Sequence, residues 1–339
     1  MVISKTPYRI SFFGGGTDYP TWYLEAGGLV LSTTIDKYCY ISCRVLPPFF
    51  NIKHRIVWSH IETVATVSEI LHPAVREGLR FLGFDDSVGL EIHHMGDLPA
   101  RAGMGSSSSF AVGLIKALTA LQGHIIGKHE LALKAIELEQ SVLRENVGSQ
   151  DQVAAAYGGL NLIRFLRKGD IQVEPVTIPP QRVAALESRL MLFYLGTSRT
   201  ASDIAAQIIA NMGNKQAELY RLAGLVEQAV AILNSSASLD EFGALLHEAW
   251  LLKRDLSHGI SNSTVDYCYE TAMSLGALGG KLLGAGGTGF MMFYVPPEKQ
   301  PALIQSFSAF LRVPFKFESE GSTLIYYAPD DYQVARASV

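Results

Sequence analysis

Residues 97–113, Asp-Leu-Pro-Ala-Arg-Ala-Gly-Met-Gly-Ser-Ser-Ser-Ser-Phe-Ala-Val-Gly, constrain this chain more than any other stretch. A glycine- and serine-rich loop here runs straight into a segment, Phe110–Leu121, whose apolar residues recur at helical spacing. Gly103 and Gly105 let the backbone turn tightly and approach a ligand closely. A helix starting near Ser106 leaves its first amides without intrahelical partners, and these amides together with the helix dipole favour an anion in front of them. Serine is also a preferred helix cap, but four in a row after two glycines exceed what capping needs. The loop is read as a phosphate cradle.

At 339 residues the chain exceeds the size at which one core keeps growing, so two domains are expected, divided at the Ile178-Pro179-Pro180 stretch into 1–180 and 181–339. With 48% hydrophobic and 18% charged residues the chain folds. A net charge of −4 provides no global basic field for nucleic acid or an anionic membrane, so phosphate recognition has to be local. Cys39, Cys43 and Cys268 make neither a C-x-x-C pair nor a disulfide framework, and no Cys/His cluster has metal spacing. Without a signal-like start or a membrane-length apolar run, a soluble cytoplasmic protein is expected. Strands (8–13, 28–45, 88–95, the 161–165/171–176 hairpin, 190–195, 290–295, 323–328) and helices (110–121, 128–145, 151–157, 200–233, 239–276) mix without regular β-α-β repetition, which indicates α+β.

Two further glycine loops flank the serine loop. Phe13-Gly14-Gly15-Gly16-Thr17-Asp18-Tyr19 ends a strand and presents a hydroxyl and a carboxylate to a polar ligand; a plain turn with an Asp cap fits the composition equally well. Gly284-Ala285-Gly286-Gly287-Thr288-Gly289 matches G-x-G-x-x-G, but a strand rather than a helix follows and the distal acid is missing, so a dinucleotide fold is disfavoured. The Walker pattern is absent. Between these loops lie Glu137, Glu139, Glu145 and Asp151; a phosphotransferase needs one carboxylate for a divalent cation and another at the acceptor hydroxyl, although each glutamate alone reads as a solvated helix face.

Three such loops in this order, together with Gly148-Ser149-Gln150-Asp151-Gln152, resemble the GHMP kinase superfamily, the group of galactokinase, homoserine kinase, mevalonate kinase and phosphomevalonate kinase, over nearly the whole chain. The resemblance implies an N-terminal ribosomal-protein-S5-like domain, a C-terminal ferredoxin-like domain and a site in the cleft between them. It implies ATP on Pro99, Arg101, Gly103, Met104, Gly105 and Ser106–Ser109, with Mg²⁺ on Ser107 and Glu139 and with Ser106 and Ser108 as alternative ligands. It also implies Asp151 as the catalytic acid residue and Arg9 beside the transferred phosphate. Arg101 departs from the family pattern, which has a small residue there.

Residues 196–202, 247–254 and 279–290 look like the branch whose members phosphorylate D-glycero-D-manno-heptose 7-phosphate at its anomeric hydroxyl. That resemblance implies a sugar site from Gly15, Gly16, Thr17, Asp18, Tyr19, Gly286 and Gly287. A second phosphate would be met by basic residues among Arg199, Lys253, Arg254 and Lys281. The expected partners are ATP and a sugar phosphate, with a homodimer open and no nucleic acid or membrane. A kinase for fucose, galactose or an N-acetylhexosamine shares the same catalytic residues, and a non-catalytic sugar or nucleotide sensor is the other reading.

Overall fold

In the computed structural model, residues 1–328 other than 48, 51 and 198–200 are described. The N-terminal layer rests on two long strands, β1 (Val2–Phe13) and β2 (Gly28–Val45), paired antiparallel and joined by the glycine turn and helix α1 (Pro20–Ala26). β3 (His54–Val57) and β4 (Ile61–Val64) form a hairpin whose first strand runs parallel to β5 (Leu90–Gly96) on the outer half of β2. Helix α2 (Pro73–Phe81) follows that hairpin in sequence. On the inner half of β2 lies β6 (Leu160–Phe165), itself paired with β7 (Ile171–Pro175). Helices α3 (Ser106–Leu121), α4 (Lys128–Ile136) and α5 (Gln150–Tyr157) pack on one another, with α3 and α5 lying against β1 and β2. β1 shows the consequence in its own sequence: burial alternates over its first residues, as on a half-covered strand, and is continuous from Thr6 onward.

Helix α6 (Pro180–Glu187), with Pro180 at its first position, leads into a second sheet of strand order β11-β8-β10-β9. Its members are β8 (Leu190–Tyr194), β9 (Gly279–Leu282), β10 (Phe290–Tyr294) and β11 (Leu311–Arg312), all antiparallel. Four helices fill the stretch between β8 and β9: α7 (Ala201–Asn211), α8 (Gln216–Asn234), α9 (Asp240–Arg254) and α10 (Ser263–Ser274), with α11 (Gln300–Ser306) after β10. The architecture is α+β, as expected. The division at 180 needs one correction. β12 (Phe317–Glu318) and β13 (Thr323–Tyr327) return to the first sheet, pairing with β2 and β1, so residues 181–339 do not form a single continuous unit. The physical reason is the edge of β1, whose backbone groups β13 satisfies.

Other differences are local. The helix expected over 128–145 stops at Ile136 and gives way to a wider π-turn over Glu137–Val142. The helices expected across 200–233 and 239–276 are α7 and α8, and α9 and α10. Helices α1, α2, α6 and α11 and strands β3, β4, β9, β11 and β12 had no counterpart in the expected elements, being short or built on few residues of clear period. The three cysteines are buried with free thiols, Cys39 and Cys43 both facing the core from β2. No helix among the described residues is long and apolar enough to cross a membrane.

The layers meet where Phe12 and Phe13, at the end of β1, pack edge-on against Phe242 of α9, with ring centroids 5.4 and 5.1 Å apart. Replacing Phe242 with Ala is expected to cost about 3–5 kcal/mol of unfolding free energy in urea; a loss under about 1 kcal/mol would show that this contact does not join the layers.

Candidate active site

The serine loop is shaped by backbone contact with a distant glycine loop. A Cβ on Gly103 would lie 2.3 Å from the Leu283 carbonyl oxygen, and one on Gly284 would lie 2.4 Å from the Gly103 Cα; both residues have φ near +80°. The loops interlock through paired glycines that no larger residue replaces without a shift of the backbone. The third loop is therefore a buttress. Of the two glycines expected at the sugar, Gly286 is buried, where a Cβ would lie 2.6 Å from the Ile260 Cα, and Gly287 is half-buried with its amide donating to the Ile260 carbonyl at 3.0 Å.

Gly105, in the left-handed region, caps α3, and no serine side chain caps it. The four hydroxyls have other partners. Ser106 Oγ accepts from the Arg101 amide at 3.1 Å, and Arg101 itself takes φ 58° with an exposed side chain, so its place in the loop is set by its backbone. Ser107 donates to Glu139 Oε1, and Ser108 donates to Glu139 Oε2 at 2.6 Å. Ser109 is buried and donates to the Pro7 carbonyl at 3.0 Å, while Met104 is a core side chain whose carbonyl accepts from the Arg9 amide. The side chains of these last two serve the fold, a correction to their expected place around ATP. Pro99 is exposed at the loop entrance. The amides of Ser106, Ser107 and Ser108 lie in the first turn, where an α-helix leaves N–H groups unpaired.

Glu139 sits fully buried in the π-turn, which turns it toward the serine loop. Besides Ser107 and Ser108 it accepts from Gln152 Nε2 at 2.6 Å, and Glu145 Oε2 lies 3.3 Å from Ser107 Oγ. The sequence places Glu145 among the candidate carboxylates and Gln152 in the Gly148–Gln152 motif, but does not show that either meets the Ser107–Glu139 pair. Burial pushes the Glu139 carboxyl up to about 7, the Glu145 charge adding to the shift and the three hydrogen bonds opposing it. A hydroxyl and a carboxylate converging beside unpaired amides are a hard oxygen donor set of the kind that suits Mg²⁺.

Arg9, 3% exposed, grips Asp151 with two parallel bonds, Nε to Oδ1 at 2.7 Å and Nη2 to Oδ2 at 2.6 Å, and donates from Nη1 to the Gly103 carbonyl at 2.8 Å. Asp151 lies in the first turn of α5 with its side chain 22% exposed, opposite Gly105, where a Cβ would come within 3.2 Å of Oδ2. Asp18, 2% exposed, joins the same group. Its oxygens accept from the Gly16 and Gln150 amides at 3.0 and 3.3 Å, and burial, reinforced by the Asp151 charge, raises its pKa. Gly148 permits this approach, since a Cβ there would stand 1.9 Å from Asp18 Oδ2.

Gly15 and Gly16 are half-buried at the turn, and Tyr19 is largely buried beside Asp18. Thr17 is corrected to a structural role: its hydroxyl is buried and shared among the Gly14 and Leu29 carbonyls and the Leu29 amide. Lys253 is corrected as well. Its ammonium is buried and tied to the Leu282 and Gly284 carbonyls at 2.8 and 2.5 Å, with its pKa pushed well down by burial and the nearby Lys281 and Arg9 charges. Arg199 lies outside the described residues.

Comparisons with known proteins identify the family. The model of the GHMP kinases N terminal domain matches residues 66–159 and that of the GHMP kinases C terminal region matches residues 229–311. A D-glycero-alpha-D-manno-heptose 7-phosphate kinase of Campylobacter jejuni is 29% identical over 325 residues, 89% of this chain and 92% of that protein. A galactokinase of Pyrococcus furiosus is 24% identical over 327 residues, 87% and 89% of the two chains. In fold, the crystal structure of a D-glycero-D-manno-heptose 1-phosphate kinase from Bacteroides thetaiotaomicron superposes with a TM-score of 0.78 at 23% identity, covering 97% of this chain and all of that one.

The buried carboxyl of Glu139 has a measurable consequence. Its pKa in the folded, metal-free protein lies above the ordinary 4.5, so the stability it contributes is whole below about pH 4.5 and is lost as pH rises through about 7. With chelator present, the melting temperature of Glu139→Gln is expected to gain on that of the unsubstituted protein between pH 5 and 8. A difference that stays constant over this range would place the ionisation elsewhere.

Proposed function

Because the chain belongs to the GHMP kinases, we propose that it transfers the γ-phosphoryl group of ATP to the anomeric hydroxyl of D-glycero-D-manno-heptose 7-phosphate, giving the 1,7-bisphosphate. The observation that carries the catalytic part is the bidentate Arg9–Asp151 pair beside Gly105 at the mouth of the serine loop. The near full-length similarity to a heptose 7-phosphate kinase supports the choice of acceptor.

In this reading the first-turn amides of α3 hold the ATP phosphates. Ser107 and Glu139 would hold Mg²⁺, which would neutralise phosphate charge. Asp151 aligns the anomeric hydroxyl. The bond between the β,γ-bridging oxygen and the γ-phosphorus breaks as the sugar oxygen forms its own bond to that phosphorus, and the hydroxyl proton passes to the Asp151 carboxylate. Both Asp151 oxygens already accept from Arg9, so the carboxylate acts mainly by orientation, in keeping with a loose transition state in which the attacking oxygen develops little charge early. Arg9, with N–H groups left beyond its three bonds, stabilises charge on the moving phosphoryl group.

A second reading, a kinase for an unphosphorylated sugar such as galactose, draws on the galactokinase relative and on Lys253, whose ammonium is spent on carbonyls and so does not serve a second phosphate. Rates of ADP release decide between the two. Heptose 7-phosphate is expected to exceed free heptose, galactose and fucose by at least about tenfold in kcat/KM, and a preference for a free sugar would reject the first reading. Asp151→Ala is expected to lower kcat at least about 10²-fold with the KM for ATP within about threefold; near-normal turnover would remove Asp151 from the mechanism.

A further inference from the structure

At the end of β1 the ladder to β2 is irregular. Ser11 stands opposite Ser32 and Phe13 opposite Leu31, which leaves Phe12 as the extra residue of a bulge. Bulges bend a strand and release backbone groups from pairing, and they concentrate next to active sites. The Phe12 carbonyl released here accepts from Lys281 Nζ at 2.9 Å, a bond that reaches across 269 residues from β9 of the second sheet. Two residues beyond Phe12 the chain enters the 14–18 turn that carries Asp18.

Lys281 is 5% exposed, and its β9 neighbour across the ladder is Met292 of β10. A lysine ammonium is rarely placed in such a site, because removal from water is costly unless the charge has a partner. The charged groups around it are Arg9 of β1, Asp18 of the turn and Lys253 of α9. Burial pushes its pKa down to about 7, with Arg9 adding to the shift and Asp18 opposing it. An apolar residue would fill this position more cheaply, so the ammonium is retained for what it holds.

We infer that Lys281 is a positioning residue for the acceptor side of the site: from β9 it holds the Phe12 carbonyl that the bulge frees, and so fixes the 14–18 turn and Asp18 beside Asp151. The phosphate side has its own tie from the second sheet's neighbourhood, Lys253 on the Leu282 and Gly284 carbonyls, so the two lysines divide the work. Losing Lys281 then disturbs acceptor binding and spares ATP binding.

The kinetic half of the test rests on the kinase reading above, whereas the exchange half needs no substrate. Lys281→Met keeps an unbranched side chain one atom shorter and removes the ammonium; Lys281→Gln is neutral but retains an N–H donor. In the protein without substrates, Lys281→Met is expected to speed amide hydrogen exchange over residues 12–18 at least about tenfold while residues 103–109 exchange as before. With heptose 7-phosphate as acceptor its KM is expected to rise at least about tenfold, the KM for ATP staying within about threefold, and Lys281→Gln is expected to fall between this variant and the unsubstituted protein. Unchanged exchange at 12–18 with an unchanged acceptor KM, or parallel rises in both KM values, would overturn the assignment. Should Lys281→Met not fold, the same two criteria apply to Lys281→Gln. If the unsubstituted protein does not turn over heptose 7-phosphate, the substrate reading fails and the exchange measurement still decides the role of Lys281.

Discussion

A guanidinium at 3% exposure has to be partnered, and the partners of Arg9 are what the site is made of. Its fork takes the Asp151 carboxylate from the first turn of α5, its remaining bonded nitrogen takes the Gly103 carbonyl from the serine loop, and its own amide takes the Met104 carbonyl. One side chain on β1 thereby fixes the distance between the serine loop and Asp151, which in the proposed reading hold the ATP phosphates and the acceptor hydroxyl. Phosphoryl transfer requires little else of a protein than alignment and compensation of charge.

The remaining structure keeps those partners from moving. The C-terminal glycine loop presses backbone to backbone on Gly103, and Lys253 secures it from α9. The π-turn brings Glu139 under the serine loop, where Ser107, Ser108 and Gln152 all point into one carboxylate. Asp18 is pinned by the amides of Gly16 and Gln150, and Gly148 makes room for it. The contact of the C-terminal glycine loop with Gly103 is the restraint among these that joins the second layer to the first.

Much of this was legible in the sequence, for a specific physical reason. Phosphate cradles and close loop contacts need glycine, and glycine is visible; the three loops, Arg9, Glu139 and Asp151 followed from it and from the family resemblance. What a sequence does not reveal is the partner a polar side chain finds. Ser109 and Thr17 look like ligands as plainly as Ser107 does, yet their hydroxyls close on backbone carbonyls. Gly286 looks like part of a binding loop, yet it is buried where a Cβ would lie 2.6 Å from the Ile260 Cα. Lys253 resembles a phosphate-binding cation and is buried. The π-turn escaped because its residues keep helical character while the spacing widens, and the return of β12 and β13 escaped because short terminal strands carry no sign of which sheet they join.

A crystal structure with a non-hydrolysable ATP analogue, Mg²⁺ and heptose 7-phosphate tests the central claim most directly. The phosphates are expected on the amides of Ser106, Ser107 and Ser108, the metal on Ser107 and Glu139, and the anomeric hydroxyl within hydrogen-bonding distance of Asp151. A nucleotide bound away from the serine loop, or an acceptor hydroxyl that faces a residue other than Asp151, would contradict it.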